Sequence, residues 1–222
     1  MSGVLFVVST PIGNLSDITL RALETLKNVD IIACEDTRHT LQLLNHFEIK
    51  KPLVSYHQHS KDSKVDQIIS TILDGKNLAV VTDAGTPGVS DPGEFLIREA
   101  LAKEIEVVPI PGVSAAITAL SVSGLSTDEF VFIGFLPHKK GRQTKLKEIS
   151  AEKKSVILYE SPFRIKKLLN ELLEFVGDRN VAVCRELTKK FEEVYRGKIS
   201  EILPQVKEKG EFVVIMEGNH EG

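Results

Sequence analysis

Cysteine is scarce in this sequence of 222 residues, and long apolar runs are missing. The two cysteines, Cys34 and Cys184, lie far apart, which argues against a disulfide framework or a cysteine metal site and favours a reducing compartment. No apolar stretch approaches the roughly 18 residues that a membrane-spanning helix needs. Residues 1–8 lack the charged segment that begins a signal peptide. These absences predict a cytoplasmic protein without a membrane attachment.

A strong excess of one charge is also missing, since the formal net charge is −3. The chain as a whole is therefore no basic nucleic-acid-binding protein, although a local patch could still bind RNA. Residues 138–154 form such a patch, because they contain seven lysines and arginines against Glu148 and Glu152. A charge run is usually a solvent-exposed helix face, so both interpretations stay open.

Short apolar runs alternate with helix-like patterns in the first half of the chain. The runs predict strands buried on both faces at 4–8, 30–34, 52–56, 78–82 and 106–109. A helix is expected at 18–26 with Ser16 or Asp17 as its cap, and the clearest helical periodicity lies between Val65 and Leu73. Strands that alternate with helices predict a parallel sheet covered on both faces.

The second half of the chain has a similar but less regular pattern. Strands are expected at 130–135, 155–159, 181–185 and 212–216, an additional strand at 192–198, and helices at 165–173 and 199–206. A helix rich in Ala and Ser that ends at Gly124 lies at the predicted boundary between two domains, between Pro111 and Asp128. The predicted fold class is therefore α/β, with a parallel-sheet N-terminal α/β domain at 1–115 and a mixed-sheet C-terminal α/β domain at 116–222.

Four loops of the first half are rich in Gly, Pro, Ser, Thr and charged residues. They cover residues 9–14, 35–39, 83–93 and 109–115. Turn formation alone requires the same residue types, so no single loop identifies a site. Parallel sheets bind ligands beyond the carboxyl ends of their strands, and four such loops at one sheet edge therefore predict a binding site.

The motifs in these loops resemble those of a known family. They are Thr10-Pro11-Ile12-Gly13-Asn14-Leu15, Glu35-Asp36-Thr37-Arg38-His39-Thr40, Asp83-Ala84-Gly85-Thr86-Pro87, Asp91-Pro92-Gly93 and Pro111-Gly112. Three later segments extend the match: Gly134-Phe135-Leu136-Pro137, Tyr159-Glu160-Ser161 and Arg185-Glu186-Leu187-Thr188-Lys189. Together they resemble the tetrapyrrole methylase superfamily and, within it, the ribosomal RNA small subunit methyltransferase I family. The first and third motifs differ from the glycine-rich and Gly-Asp-Pro loops of tetrapyrrole-modifying members, which favours the RNA branch.

This resemblance implies a fold, a reaction and a set of contacts. The fold would be two α/β domains with a cofactor cleft between them, usually in a homodimer. The reaction would transfer a methyl group from S-adenosylmethionine to the ribose 2′-oxygen of a cytidine in the decoding region of 16S rRNA, as free RNA or in the small ribosomal subunit. No metal would be needed. By motif position, the cofactor-binding residues would be Ile12, Gly85, Thr86, Val89, Ser114, Ala115, Tyr159, Leu187 and Glu211.

Charged loop residues are the candidates for catalysis. We expect Glu35 or Glu186 to help remove the hydroxyl proton, and Arg38 and Lys189 to hold the ribose or an adjacent phosphate. The structural alternative is that Glu186 only forms a salt bridge with Arg185 or Arg38. Gly141 and Arg142 are expected in a loop before a short helix. The predicted RNA-binding residues are Lys139, Lys140, Arg142, Lys145 and Arg164.

Other functions fit the sequence less well. The remaining candidates are a small-molecule, tetrapyrrole-type methyltransferase of the same superfamily and a non-catalytic module that binds cofactor or RNA. His57 and His59 alternate after a strand, but they have no cysteine or carboxylate partners at the spacing of a zinc site. No Gly-x-Ser-x-Gly elbow is present, which argues against a hydrolase. Longer members of the RNA branch carry a helical C-terminal extension, whereas this sequence ends at Gly222, and this departure bears on RNA affinity.

Overall fold

The computed structural model describes residues 2–56, 62–91 and 93–220. The chain divides between Ser114 and Ala115 into two compact units. Each unit contains one five-stranded sheet. His57, His59 and Pro92, which the sequence analysis singled out, lie outside the described residues. No helix of the described part is both long and apolar enough to cross a membrane.

The first unit is built on a fully parallel sheet, as predicted. Its strands are β1 (Val4–Val8), β2 (Ile31–Cys34), β3 (Leu53–Ser55), β4 (Leu78–Val80) and β5 (Glu106–Ile110). They lie in the order β3-β2-β4-β1-β5. The central strand β1 pairs Leu5 with Leu78 on one side and with Val107 on the other. The carboxyl ends of β4, β1 and β5 therefore lie side by side at one edge.

Helices cover both faces of this sheet. They are α1 (Leu20–Asn28), α2 (Thr37–His46), α3 (Asp62–Leu73) and α4 (Glu94–Ala102). One core cluster joins Ile68 of α3 and Leu96 of α4 to the sheet, and a second joins Leu26 of α1 and Leu44 of α2 to the opposite face. Burial on both faces explains why the strands are continuous apolar runs without polar alternation.

The start of the first helix differs from the expectation. Residues Leu15–Asp17 form a separate short 3-10 turn, and the helix begins only at Leu20. Its cap is Thr19, whose hydroxyl oxygen accepts a hydrogen bond of 3.1 Å from the Ala22 amide. The expected cap at Ser16 or Asp17 was therefore wrong. Several consecutive residues here can cap a helix, and only the three-dimensional path selects Thr19.

The second unit has the mixed sheet that was predicted. Its strands are β6 (Phe130–Phe135), β7 (Ser155–Glu160), β8 (Asn180–Arg185), β9 (Glu193–Lys198) and β10 (Phe212–Met216), in the order β6-β7-β10-β8-β9. Strands β6 and β7 are parallel, and the other pairs are antiparallel. The last strand, β10, is buried along its whole length between β7 and β8.

The helices of the second unit are α5 (Ala115–Ser121), α6 (Arg142–Ala151), α7 (Ile165–Val176) and α8 (Ile199–Ile202). The main core of this unit packs α6, α7 and α8 on one face of the sheet. Helix α8 has four residues and is shorter than the predicted 199–206. Pro204 lacks the amide hydrogen that would bond to the Ser200 carbonyl, so the regular helix ends before it. The short helix predicted after Gly141 and Arg142 begins at Arg142, lies inside the basic patch and is ten residues long.

Candidate active site

Hydrogen bonds join three of the four predicted loops of the first unit. The Thr10 amide donates to the Gly85 carbonyl at 2.9 Å, and the Gly85 amide donates back to the Thr10 carbonyl at 3.1 Å. The Thr86 hydroxyl donates to the Val113 carbonyl at 3.3 Å and lies 3.1 Å from the Ser9 hydroxyl. The loops after β1, β4 and β5 therefore form one structure, which we call the β1/β4/β5 cradle (residues 9–14, 82–91 and 110–114).

Two glycines allow this close approach. Gly85 has φ of +84°, a conformation that favours glycine, and a side chain at this position would point between Ile12 and the Val113 carbonyl. A Cβ at Gly112 would lie 2.8 Å from the Cβ of Ser9, so a side chain there would push the first and fourth loops apart. Bare backbone is thus required where these loops meet.

The predicted cofactor residues of the first unit lie in or beside the cradle. Ile12 and Gly85 are buried, Thr86 and Ser114 are half-buried, and Val89 is exposed. Ala115 follows directly as the first residue of α5. The cradle therefore offers an apolar side chain together with peptide donors and acceptors. Such a combination suits a ligand with both apolar and polar parts.

The second predicted loop lines an open pocket. The pocket has a volume of about 410 Å³ and is bordered by Glu35, Asp36, Thr37, Arg38, Ser55 and Asp83. The Asp36 amide donates to the Asp83 carboxylate at 3.2 Å, which connects this loop to the cradle. All four loops that the motifs singled out therefore lie at the same edge of the parallel sheet.

Asp36 and Arg38 form a local structure at the start of α2. Asp36 is the cap of this helix, and its carboxylate accepts from the Arg38 amide at 2.8 Å and from the Arg38 guanidinium at 2.6 Å. These hydrogen bonds to Arg38 hold the pKa of Asp36 well below its usual range. Arg38 and His39 are exposed in the first turn of the helix. Asp36 therefore acts as a capping residue.

Asp91 is the carboxylate that sequence reasoning did not single out for chemistry. Burial, and then the charges of Glu35 and Asp83, raise its pKa to about 6. A carboxyl group that titrates near neutrality can accept or release a proton under working conditions. The sequence carried no signal for this property, because it depends on burial and on Glu35, which belongs to a different loop from Asp83 and Asp91.

A second group of predicted residues surrounds the loop after β8. The Lys189 ammonium lies 3.1 Å from a Glu186 carboxylate oxygen and 2.7 Å from one of Glu211. Gly210 permits this packing, because a Cβ there would lie 2.4 Å from the Glu186 side chain. Two residues of the loop, Glu186 and Thr188, have positive φ values of 53° and 66°, and Leu187 between them is buried. Such strained backbone is often found at functional sites.

The charges of this group stabilise each other. Burial opposes ionisation of Glu186, but the Glu211 amide and the Lys189 ammonium outweigh it and lower the pKa of Glu186. Burial likewise opposes the charge of Lys189, and its two carboxylate partners raise the pKa of Lys189. A carboxylate with a lowered pKa is a weak proton acceptor. Glu186 thus contacts Lys189 and Glu211. The two expected alternatives pair elsewhere, Arg185 with Glu193 and Arg38 with Asp36.

Tyr159 occupies the end of β7. Its hydroxyl accepts a hydrogen bond of 3.2 Å from the Ala116 amide at the start of α5. Its ring makes edge contacts with Phe132 and Phe135, with centroid distances of 5.1 and 5.6 Å. Tyr159 is therefore held in place by both its ring and its hydroxyl.

The predicted RNA-binding residues separate into two groups. Lys139 and Lys140 are exposed on the turn after β6, and Lys145 pairs with Glu148 on the surface of α6. Arg142, in contrast, is not in a loop: it is the first residue of α6 and is buried. The loop placement of Arg142 was wrong because Gly141 is already the N-cap of this helix.

Arg142 and Arg164 bind carboxylates inside the second unit. Arg142 donates to Glu171 at 2.6 Å and to the Pro137 carbonyl at 3.1 Å, while Arg164 pairs with Glu160 at 2.6 Å. Glu160 has a fully buried carboxylate that also lies 3.8 Å from Arg142. Burial makes these pairs structural contacts, because removal of one partner would leave an uncompensated charge. The sequence analysis did not identify Glu160 and Glu171 as the partners of these two arginines.

A metal centre has no visible basis in the described residues. Across 2–56, 62–91 and 93–220, no group of three or more His, Cys, Asp and Glu side chains is arranged to hold a metal ion. Cys34 and Cys184 are both buried and free, and burial raises the pKa of each thiol.

Comparison with protein families identifies the class. The model of the tetrapyrrole (corrin/porphyrin) methylases matches residues 4–203, so the chain belongs to this methylase family. Relatives of known name show which branch of this family the chain resembles. A ribosomal RNA small subunit methyltransferase I of Halalkalibacterium halodurans is 50% identical over 223 residues, 99% of this chain and 77% of the relative. A protein of the same name from Thermotoga maritima is 44% identical over 97% of this chain and 99% of its own length. The resemblance predicted from the loop motifs is confirmed.

The solved structures agree on the fold. The uroporphyrin-III C-methyltransferase of Thermus thermophilus, complexed with S-adenosylhomocysteine, superposes with a TM-score of 0.70. Its identity is 15%, and the match covers 97% of each chain. At this identity the likeness establishes the two-domain α/β fold alone.

The raised pKa of Asp91 leads to a prediction about the stability of the folded protein. Asp91→Asn should raise the free energy of unfolding by about 1–2 kcal/mol at pH 8, after allowance for partial solvent exposure. The gain should vanish at about pH 2–3, well below both pKa values, because the carboxyl is then neutral in both the folded and the unfolded chain. It should grow as the pH rises from about 4 to about 6, where the unfolded chain ionises Asp91 more readily than the folded chain. Thermal unfolding at several pH values measures this.

The matched control for this experiment is Asp74→Asn, since Asp74 is an exposed aspartate of the same unit. Its effect should not follow the pH profile of Asp91→Asn. A stability gain by Asp91→Asn that is equal at pH 4 and pH 8 would contradict the proposed electrostatic origin.

Proposed function

We propose that this protein transfers a methyl group from S-adenosylmethionine to the ribose 2′-hydroxyl of a cytidine in the decoding region of 16S rRNA. The observation that carries the proposal is the 50% identity to a ribosomal RNA small subunit methyltransferase I over 99% of this chain. The proposed substrate is 16S rRNA, free or in the small ribosomal subunit. The proposal also includes a cytoplasmic location and a homodimer.

The cofactor assignment rests on the fit of the cradle. S-adenosylmethionine carries an adenosine and a zwitterionic amino acid, so it needs peptide donors and acceptors and an apolar surface. We assign Ile12, Gly85 and Thr86 to it, together with the neighbouring positions Val89, Ser114 and Ala115. Gly85 lies against Ile12 without a side chain of its own, which leaves space for a ligand beside Ile12. From the second unit we assign Tyr159, Leu187 and Glu211, by their motif positions. When bound, this cofactor supplies an electrophilic methyl group on a sulfonium.

The residues of the chain would orient the ribose and take its proton. A ribose hydroxyl is a weak acid, so orientation supplies much of the rate and a nearby base adds about 10²–10⁴-fold. We propose Glu35, which borders the open pocket, as the candidate base, with Asp91 as a neighbour whose pKa the Glu35 charge raises. Glu186 is the second candidate, although its lowered pKa favours it less. Arg38 and Lys189 would hold the ribose or an adjacent phosphate.

A first prediction tests the cofactor assignment. Gly85→Leu should weaken S-adenosylmethionine binding by at least about tenfold, because a side chain would occupy the space between Ile12 and Val113. Isothermal titration calorimetry measures the affinity. The control is Gly177→Leu, since Gly177 has a similar φ of +80° but no atom within 4 Å of its Cβ position. A folded Gly85→Leu protein with wild-type affinity would refute the assignment.

A second prediction tests the reaction. Incubated with labelled S-adenosylmethionine and small subunits from a strain that lacks the protein, the wild-type protein should label one cytidine of the decoding region at its ribose 2′-oxygen. Mapping of the modified nucleotide checks this. Label on a base, or on a tetrapyrrole in place of RNA, would refute the proposal and favour the small-molecule alternative. Cofactor binding without methyl transfer to any ribosomal RNA would favour a non-catalytic module.

The same assay distinguishes the two candidate bases. Glu35→Ala should lower single-turnover methylation by at least about 10², with cofactor and RNA affinities near those of the wild type. Glu186→Ala serves as the comparison, because its contacts are with Lys189 and Glu211. If both variants methylate at the wild-type rate from about pH 6 to about pH 9, neither residue is the base and orientation alone accounts for the rate.

A further inference from the structure

Two loops of the second unit lie next to each other because their strands do. Strands β6 and β7 are parallel neighbours, so the loops that follow them begin at the same sheet edge. The Arg164 guanidinium on the second loop lies 3.1 Å from the ring nitrogens of His138 on the first. We call residues 137–141 and 161–164 together the β6/β7 loop pair.

Buried ion pairs fix the β6/β7 loop pair in position. The Arg142 guanidinium holds the Pro137 carbonyl at one side, and Arg164 is bound to the buried Glu160 at the other. Carboxylates neutralise both arginines. The exposed positive charge of the β6/β7 loop pair therefore comes mainly from its two lysines, Lys139 and Lys140. Neither lysine has an ion-pair partner among the residues that the structure describes.

Phe163 stands at the surface of this pair. Its side chain is 92% exposed, more than that of any other large hydrophobic residue in the described part of the chain. The backbone on both sides of it is held: the Ser161 amide donates to Glu160 at 2.8 Å, and the Arg164 amide donates to the Ser161 carbonyl at 3.1 Å. The ring is thus presented on a fixed turn, which lowers the entropic cost of binding to it.

An exposed aromatic ring beside unpaired lysines is the combination that binds single-stranded nucleic acid. Aromatic rings stack on the flat faces of bases, and lysines contact the adjacent phosphates. In a duplex both faces of a base are already stacked, so a ring such as Phe163 has access only to an unpaired base. Acidic groups do not oppose this arrangement, because Glu160 and Glu171 are neutralised by Arg142 and Arg164.

We infer that Phe163 stacks on an unpaired base of the RNA substrate while Lys139 and Lys140 contact its phosphates. The β6/β7 loop pair then selects a single-stranded segment in addition to supplying charge. This inference rests on the proposed RNA substrate. It goes beyond it by assigning a base-stacking residue and a preference for unpaired RNA.

The absence of tryptophan from the chain makes a direct test possible. Phe163→Trp introduces a single tryptophan, and stacking on a base should quench its fluorescence as single-stranded RNA of about 12 nucleotides is added. Phe163→Ala should bind this RNA about tenfold more weakly than the wild type in fluorescence anisotropy. The same RNA sequence, paired in a hairpin stem, should bind more weakly. The wild type and Phe163→Ala should bind this paired RNA with equal affinity.

Phe191 provides the matched control, because it is also exposed (64%) and also lies beside a lysine, Lys190. Phe191→Trp should not be quenched, and Phe191→Ala should bind RNA like the wild type. Unchanged emission of Phe163→Trp at saturating RNA, with wild-type affinity of Phe163→Ala, would overturn the inference while leaving the proposed function intact. A loss of binding by Phe163→Ala that is seen only with intact small subunits would also overturn the inference, since Phe163 would then contact a ribosomal protein. Failure of the wild type to bind any RNA would instead refute the proposed function, and the inference with it.

Discussion

The reciprocal main-chain hydrogen bonds between Thr10 and Gly85 are the constraint on which the first unit's site depends. They join the ends of two neighbouring parallel strands, β1 and β4, and place bare backbone where the loops meet. Ser9, Thr86 and Val113 extend the same connection to the end of β5. Amides buried in such contacts must be paired to be stable, so the loops that form the site also complete the hydrogen bonding of the sheet edge.

The second unit uses charge for the same purpose. Its parallel pair β6 and β7 ends in two loops that Glu160, Arg142 and Arg164 hold together. A buried carboxylate between two guanidinium groups is costly to disrupt, because either loss leaves a charge without compensation. Both units therefore fix the loops beyond a parallel strand pair, one with peptide hydrogen bonds and the other with ion pairs.

Much of this architecture was predictable from the sequence because it depends on local patterns. The apolar run of β1 and the periodicity of α7 are properties of consecutive residues, and both elements were predicted. The role of Arg142 was not, since its partners Glu160 and Glu171 lie 18 and 29 positions further along the chain. The raised pKa of Asp91 likewise arises from burial and from the charge of Glu35 in another loop, with a smaller effect of Asp83 in its own loop. Chemistry that depends on contacts between distant segments left no local pattern to interpret.

Hydrogen exchange with and without S-adenosylmethionine tests the central claim, that the β1/β4/β5 cradle holds the cofactor. The account predicts slower exchange of amides in residues 9–14, 82–91 and 110–114 when the cofactor is present. It predicts no change in the β6/β7 loop pair, which is assigned to RNA. Unchanged exchange throughout the cradle at a saturating cofactor concentration, with protection confined to other segments, would contradict the account.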